Sequence, residues 1–157
     1  MKSFTKLSLP GLGLAAALML PLAAAATAAE LRWGASRDID SLDPYSYGIT
    51  FTISTLNHVY EGLVRYDDQL KIEPALATSW EDISPTVRRF HLRQGVKFHD
   101  GSAFNADDVL ASLTRVSDPK SPLRGNLPAY QGAEKIDDYT VDIKVTENYP
   151  LIHIDLT

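Results

Sequence analysis

No cysteine occurs anywhere in the 157 residues. That absence removes a disulfide framework, a thiolate zinc site, a cysteine nucleophile and a lipid-carrying thiol together. Other chemistry-bearing patterns are missing too. The histidines His58, His91, His99 and His153 stand in no HxxxH or HExxH spacing, and there is no GxSxG elbow and no Walker loop. Basic residues are in deficit, 15 Lys and Arg against 20 Asp and Glu, which leaves no electrostatic case for binding nucleic acid or an anionic membrane surface. Charged residues at 22% and hydrophobic residues at 45% still lie near the globular average, so collagen-like, coiled-coil and wholly disordered chains are poor fits.

A long uncharged run occurs once, from Leu7 to Ala29, behind a short basic start at Lys2 and Lys6. Basic start, apolar middle and small residues at the end form the layout of a secretory signal peptide, and Ala26-Thr27-Ala28 fits the small-x-small cleavage rule. Residues 1–29 therefore read as a signal peptide cleaved after Ala28 or Ala29. A retained membrane helix fits less well, because Pro10, Gly11, Gly13 and Pro21 interrupt the run and nothing basic follows it. Gly11-Leu12-Gly13 is no phosphate loop, lacking a preceding strand and a third glycine. Removing 29 of the 157 residues leaves 128, with 13 basic and 20 acidic residues and a net charge of −7. An exported chain without cysteine has to draw its stability from packing.

Leu31 to Ala35 alternates apolar with other residues and predicts a short strand. Ser41-Leu42-Asp43-Pro44 is a turn, since proline disfavours the helical region for the residue before it. Ile53, Leu56, Val59, Tyr60 and Leu63 recur at spacings of three and four, which predicts an amphipathic helix from Thr50 with Gly62 as its left-handed cap. Strands are expected at Leu63 to Tyr66 and Leu70 to Ile72, then a helical turn at Pro74 to Ala77 with proline at its start. Two more follow at Ser79 to Ile83 and Val87 to Arg93, the second with Phe90 and Leu92 on one face and Arg89, His91 and Arg93 on a wet one. Phe104 to Val116 is the best-specified element. Asn105 is its N-cap, Asp108 occupies the third helical position, and Phe104 with Val109 makes a hydrophobic staple. A hairpin is expected from Glu134 to Thr146 around Asp137-Asp138. Leu151, Ile152, Ile154 and Leu156 look like the first turns of another helix, left without a polar tail.

The pairs Asp67-Asp68, Asp107-Asp108 and Asp137-Asp138 could suggest calcium, but each falls where aspartate is favoured for turns or helix starts. Arg88, Arg89 and Arg93 read as a solvated basic strand face. His99-Asp100-Gly101 contains a His-Asp pair, yet Asp-Gly is the stronger turn signal and no third catalytic group stands by.

Several strings together resemble a known family. YEGLVRYD (Tyr60 to Asp67), PALATSWE (Pro74 to Glu81), FHLRQGVKFHDGSAFNADDV (Phe90 to Val109), Asp118-Pro119 and DDYTVDI (Asp137 to Ile143) are similar, in order and spacing, to the N-terminal part of the family 5 extracellular solute-binding proteins. These are the peptide, dipeptide and nickel receptors of ABC importers.

The resemblance implies a mixed α/β chain of the type II periplasmic-binding-protein fold, in which two lobes close over a ligand. It divides the sequence into the signal peptide (1–29), a first strand and cleft loop of lobe I (30–48), and a family-specific additional domain (49–157) truncated at its C-terminus. It further implies a monomeric, non-enzymatic periplasmic protein that binds a peptide or other small solute, uses no cofactor or metal, and docks on an ABC permease in the inner membrane. In peptide receptors of the family the loop before SLDP offers backbone groups to the ligand like an added strand. Here that loop is Asp38, Ile39 and Asp40, and two readings stand: they face ligand, or they only turn the chain into Ser41. FHDG and DDVLASLTR read as structural, away from binding chemistry. Rival readings are a truncated gene product without activity and a periplasmic hydrolase, the latter lacking any visible nucleophile and base.

Overall fold

The computed structural model describes residues 33–46, 48–146 and 149–157. The expected signal peptide lies outside the described residues. The chain divides into two compact units, one up to Ser36 and one from Arg37 to Thr157. Of the first, only residues 33–36 are described. They form neither helix nor strand, and Trp33 is exposed. The strand expected at Leu31 to Ala35 is thus not formed over its described part, Trp33 to Ala35, where no described strand supplies the ladder that extended backbone needs.

The second unit is built on a four-stranded antiparallel sheet of β3 (Ala77–Ser84), β4 (Val87–Leu92), β5 (Tyr130–Asp137) and β6 (Thr140–Val145), in the order β3-β4-β6-β5. A separate ribbon pairs β1 (Val64–Tyr66) with β2 (Ile72–Pro74). Helix α1 (Thr50–Leu56) precedes the ribbon, α2 (Ala106–Ser117) joins β4 to β5 and packs against β5 and β6, and α3 (Ile152–Asp155) is a single turn. No helix among the described residues is long and apolar enough to cross a membrane.

The core forms where strand alternation meets the α2 stripe. Phe90 and Leu92 of β4, Val141, Ile143 and Val145 of β6, Val109 and Leu113 of α2, and Ile152 of α3 are all buried in one cluster. The opposite face of β6 is covered in part, with Lys144 left exposed. Thr140 and Asp142 are buried along with the valines and the isoleucine. The expected helix start is realised in full: Asn105 Oδ1 accepts the Asp107 N–H at 2.7 Å, and Asp108 Oδ2 accepts the Asn105 N–H at 2.9 Å, closing a capping box. Phe104 and Val109 are both buried in the same core.

Three local expectations fail, each for a definite reason. The helix from Thr50 ends at Leu56, not near Gly62, with Asn57 as its cap. Its buried residues are Thr52 and Leu56, while Val59 and Tyr60, past its end, stay half exposed. The run TFTIST is β-branched and weakly helical, and Leu63 and Val64 turn away into the sheet core. Gly62 meets a packing demand instead, because a Cβ there would lie 2.8 Å from the Leu156 carbonyl oxygen. Pro74 opens no helical turn; it closes β2, an edge position that tolerates a missing N–H. Leu70 begins no strand. It sits in the turn after Asp67 with φ of 61° and is exposed.

The basic strand face is also revised. Arg88 is buried on the same side of β4 as Phe90 and Leu92, with its Nε 2.7 Å from Asp82 Oδ1. Arg89 is forked onto Asp142. Strand period alone could not show that carboxylates would meet both guanidinium groups.

Candidate ligand loop and its anchoring turn

The loop expected to face ligand leaves the sheet core entirely. Asp38 and Asp40 are exposed and Ile39 is half-buried. Asp38 Oδ1 accepts the Ile39 N–H at 2.8 Å, and Asp40 Oδ2 lies 3.9 Å from the Arg37 guanidinium. No regular element holds this stretch, so its position depends on the turn that follows.

That turn is tightly tied. The Ser41 hydroxyl accepts the Asp43 N–H at 3.0 Å. Asp43 then serves as a hub: its Oδ1 accepts the Tyr45 N–H at 3.2 Å, its Oδ2 accepts the Ser46 hydroxyl at 2.5 Å, and the Arg115 guanidinium donates to the same Oδ2. The Ser46 hydroxyl, with the Tyr45 amide and Arg115, holds the Asp43 carboxyl below the usual aspartate range against a smaller opposing effect of burial. Arg115 also lies 5.1 Å over the Tyr45 ring, a cation–π geometry. From the other side the Tyr60 hydroxyl donates to the Leu42 carbonyl at 2.9 Å.

Between the turn and the second half of α2 runs an open groove of about 910 Å³, lined among others by Asp40, Asp43, Tyr45, Arg115, Asp118 and Lys120. Of the three loop residues only Asp40 borders it; Asp38 and Ile39 do not. The groove carries both signs of charge, so its chemistry suits holding a polar solute.

The other singled-out groups are accounted for by backbone bonds. Asp67 Oδ1 accepts the N–H groups of Gln69 and Lys71, each at 2.8 Å, and Asp137 Oδ1 that of Tyr139 at 2.7 Å. Asp100 Oδ1 accepts the N–H and hydroxyl of Ser102, and Gly101 supplies a φ of 89°, so His99-Asp100-Gly101 is a turn. No group of three or more metal-ligating side chains occurs among the described residues.

The DDVLASLTR stretch of α2, read as structural, carries Arg115, which reaches the turn beside the candidate loop. No spacing rule could pair it with Asp43, 72 positions earlier. The one available signal was Arg115 itself, a long cationic side chain in the last turn of a well-capped helix.

Comparison with known proteins agrees with this architecture. Residues 71–157 match the family described as bacterial extracellular solute-binding proteins, family 5 Middle. The glutathione-binding protein GsiB of Escherichia coli (strain K12) is 37% identical over 149 residues, which are 90% of this chain and 28% of that protein; the chain thus spans little more than a quarter of the curated relative it matches. Among solved structures, NikZ from Campylobacter jejuni in complex with Ni(L-His) superposes with a TM-score of 0.69 at 29% identity, covering 76% of this chain and 24% of that one. The binding protein AgaA of A. tumefaciens R10, in complex with agropinic acid, gives 0.69 at 33% identity, covering 76% and 25%. The mixed α/β architecture described above is therefore part of a type II periplasmic-binding-protein fold, and the chain belongs to family 5 of the bacterial extracellular solute-binding proteins.

Proposed function

We propose that the protein is the solute-capturing component of an ABC importer, working in the periplasm after removal of residues 1–29 and delivering a peptide or related small polar solute to an inner-membrane permease. Residues 30–48 supply the cleft loop of one lobe, and residues 49–157 the family's additional domain. Capture is non-covalent, acts through a monomer, and involves neither cofactor nor metal.

The observation that carries this reading is the Asp38-Ile39-Asp40 loop, exposed at both aspartates, standing outside the sheet yet held by a fixed turn. A stretch whose backbone is outside any ladder, on a rigid base, can pair with an extended peptide without first being ordered. The match to GsiB, a glutathione-binding protein, favours a short peptide as cargo.

Isothermal calorimetry tests the reading. Residues 30–157 titrated with glutathione and with a mixed oligopeptide pool are expected to bind no tighter than about millimolar, because a one-sided cleft cannot bury most of a ligand. The same residues within a chain extended to the length of GsiB are expected to bind at micromolar or tighter. Tight binding by residues 30–157 alone would overturn the assignment of enclosure to a second lobe, and no binding by the extended chain would overturn the solute class.

A further inference from the structure

We propose that Arg115 is a positioning residue for the candidate ligand loop, acting through Asp43. The inference rests on the reading of Asp38 to Asp40 as ligand-facing, and deepens it by naming what sets the loop in place.

Three observations combine. Among the described residues the loop has two long-range tethers on the turn at its end: the Tyr60 hydroxyl on the Leu42 carbonyl, and Arg115 on Asp43. Only the second comes from an element fixed in the core. Helix α2 buries Ala106, Val109 and Leu113, closes its own start with the capping box, and is pinned to the β5–β6 turn where the Ala106 N–H reaches the Asp138 carbonyl at 2.9 Å. Tyr60 lies instead in an irregular stretch and is half exposed. The third observation is how Arg115 is held. Its guanidinium both donates to Asp43 Oδ2 and lies over the Tyr45 ring, so carboxylate and ring, two residues apart, fix its plane. A planar guanidinium can satisfy both at once, whereas an ammonium offers a point charge alone.

Asp43 converts this grip into loop geometry. Its carboxylate caps the Tyr45 and Ser46 side of the turn, and its own N–H goes back to Ser41, one residue after Asp40. Releasing Arg115 frees the hub and lets the turn and the loop before it move together. Asp43 has a side chain 29% exposed and Arg115 one 58% exposed, so the fold itself does not depend on the pair.

The test is amide hydrogen exchange and ¹⁵N–¹H chemical shifts on the full chain. In Arg115→Ala, exchange at Tyr45 and Ser46 is expected to speed about three- to tenfold, and the Ile39 and Asp40 amide signals to move, while Phe90 and Ile143 keep wild-type protection. Asp43→Asn should move the same signals, and the double variant should add little beyond the larger single effect. Arg115→Lys should restore part of the protection and Arg115→Met should not, because methionine fills the space without a donor for Asp43. Unchanged signals at residues 39, 40, 45 and 46 in Arg115→Ala overturn the proposal, as does loosening that spreads equally to Phe90 and Ile143. Titration of a wild-type chain extended to the length of GsiB with glutathione separates the two readings. If the loop responds to Arg115→Ala but glutathione leaves Ile39 and Asp40 unmoved, Arg115 still positions the loop and it is the ligand-facing assignment that fails.

Discussion

Arg89 and Asp142 face each other in register across β4 and β6, and the guanidinium closes on the carboxylate through two hydrogen bonds of 2.7 and 2.9 Å. The hydrogen bond to Asp142 is the main reason the arginine holds its proton more tightly than usual. Forked pairs of this kind fix geometry as well as charge. Arg65 and Glu73 make a similar cross-strand contact on the outer ribbon, at 2.6 Å but with both side chains more exposed. Arg89→Met should therefore lower the urea midpoint clearly more than Arg65→Met, since it strands a carboxylate on a residue that is only 7% exposed. Equal shifts in the two midpoints would show that the sheet does not depend on the pair.

Gly62 passes close under the backbone of Leu156, so a methyl group there meets a carbonyl oxygen at 2.8 Å and the Thr157 carbonyl carbon at 2.9 Å. Backbone cannot swing aside as a flexible side chain can. Gly62→Ala is expected to cost about 1–3 kcal/mol through overpacking. Gly125→Ala, with nothing within 4 Å of the added carbon, should stay within about 0.5 kcal/mol of wild type. Thermal unfolding of the two variants side by side checks both.

Leu70 holds a left-handed backbone with φ of 61° and offers its side chain to solvent. A γ-branched residue gains nothing there to offset that conformation, while asparagine adopts it readily. Leu70→Asn should raise stability by about 0.5–1 kcal/mol, visible as a later urea midpoint with unchanged slope.

His153 packs its ring 5.2 Å from Trp80 and 5.8 Å from Phe90, with Nε2 buried and without a hydrogen-bond partner among the described residues. Burial, followed by the nearby Arg88 charge, pushes its pKa below 6.5, against weaker opposing effects of the Pro150 backbone and Asp82. The folded imidazole thus stays neutral where the unfolded one takes up a proton. Stability is full above about pH 6.5 and falls as pH drops from there toward the lower folded value. His153→Phe should flatten that slope. A slope unchanged by the substitution would place the titrating group elsewhere.

Much of this fold was readable in the sequence. Asn105 and Asp108 announced the start of α2 because capping is decided within four residues. Val141, Ile143 and Val145 marked a buried strand face because period-two alternation is local as well. What could not be read required partners far along the chain. Thr52 is buried and Val59 exposed, reversing hydropathy, because the chain past Leu56 leaves the helix. Arg88 shares the core side with Phe90 and Leu92 by the same alternation, whereas the forked partner of Arg89, Asp142, lies 53 positions later. Of the candidate site, sequence located the Asp38 to Asp40 loop and the turn after it, but not the Arg115 grip.

Lys135 links Asp107 in the first turn of α2 to Asp138 in the β5–β6 turn, at 2.8 Å to each, and those two carboxylates keep its ammonium protonated well above the ordinary lysine range. With twelve residues at about 1.5 Å each, α2 is a strut roughly 18 Å long, clamped to the sheet at one end and gripping the Asp43 turn at the other. A strut fixed at both ends passes displacement along its axis instead of absorbing it. The Asp43 turn is thereby tied, through a single helix, to the β5–β6 turn at its far end.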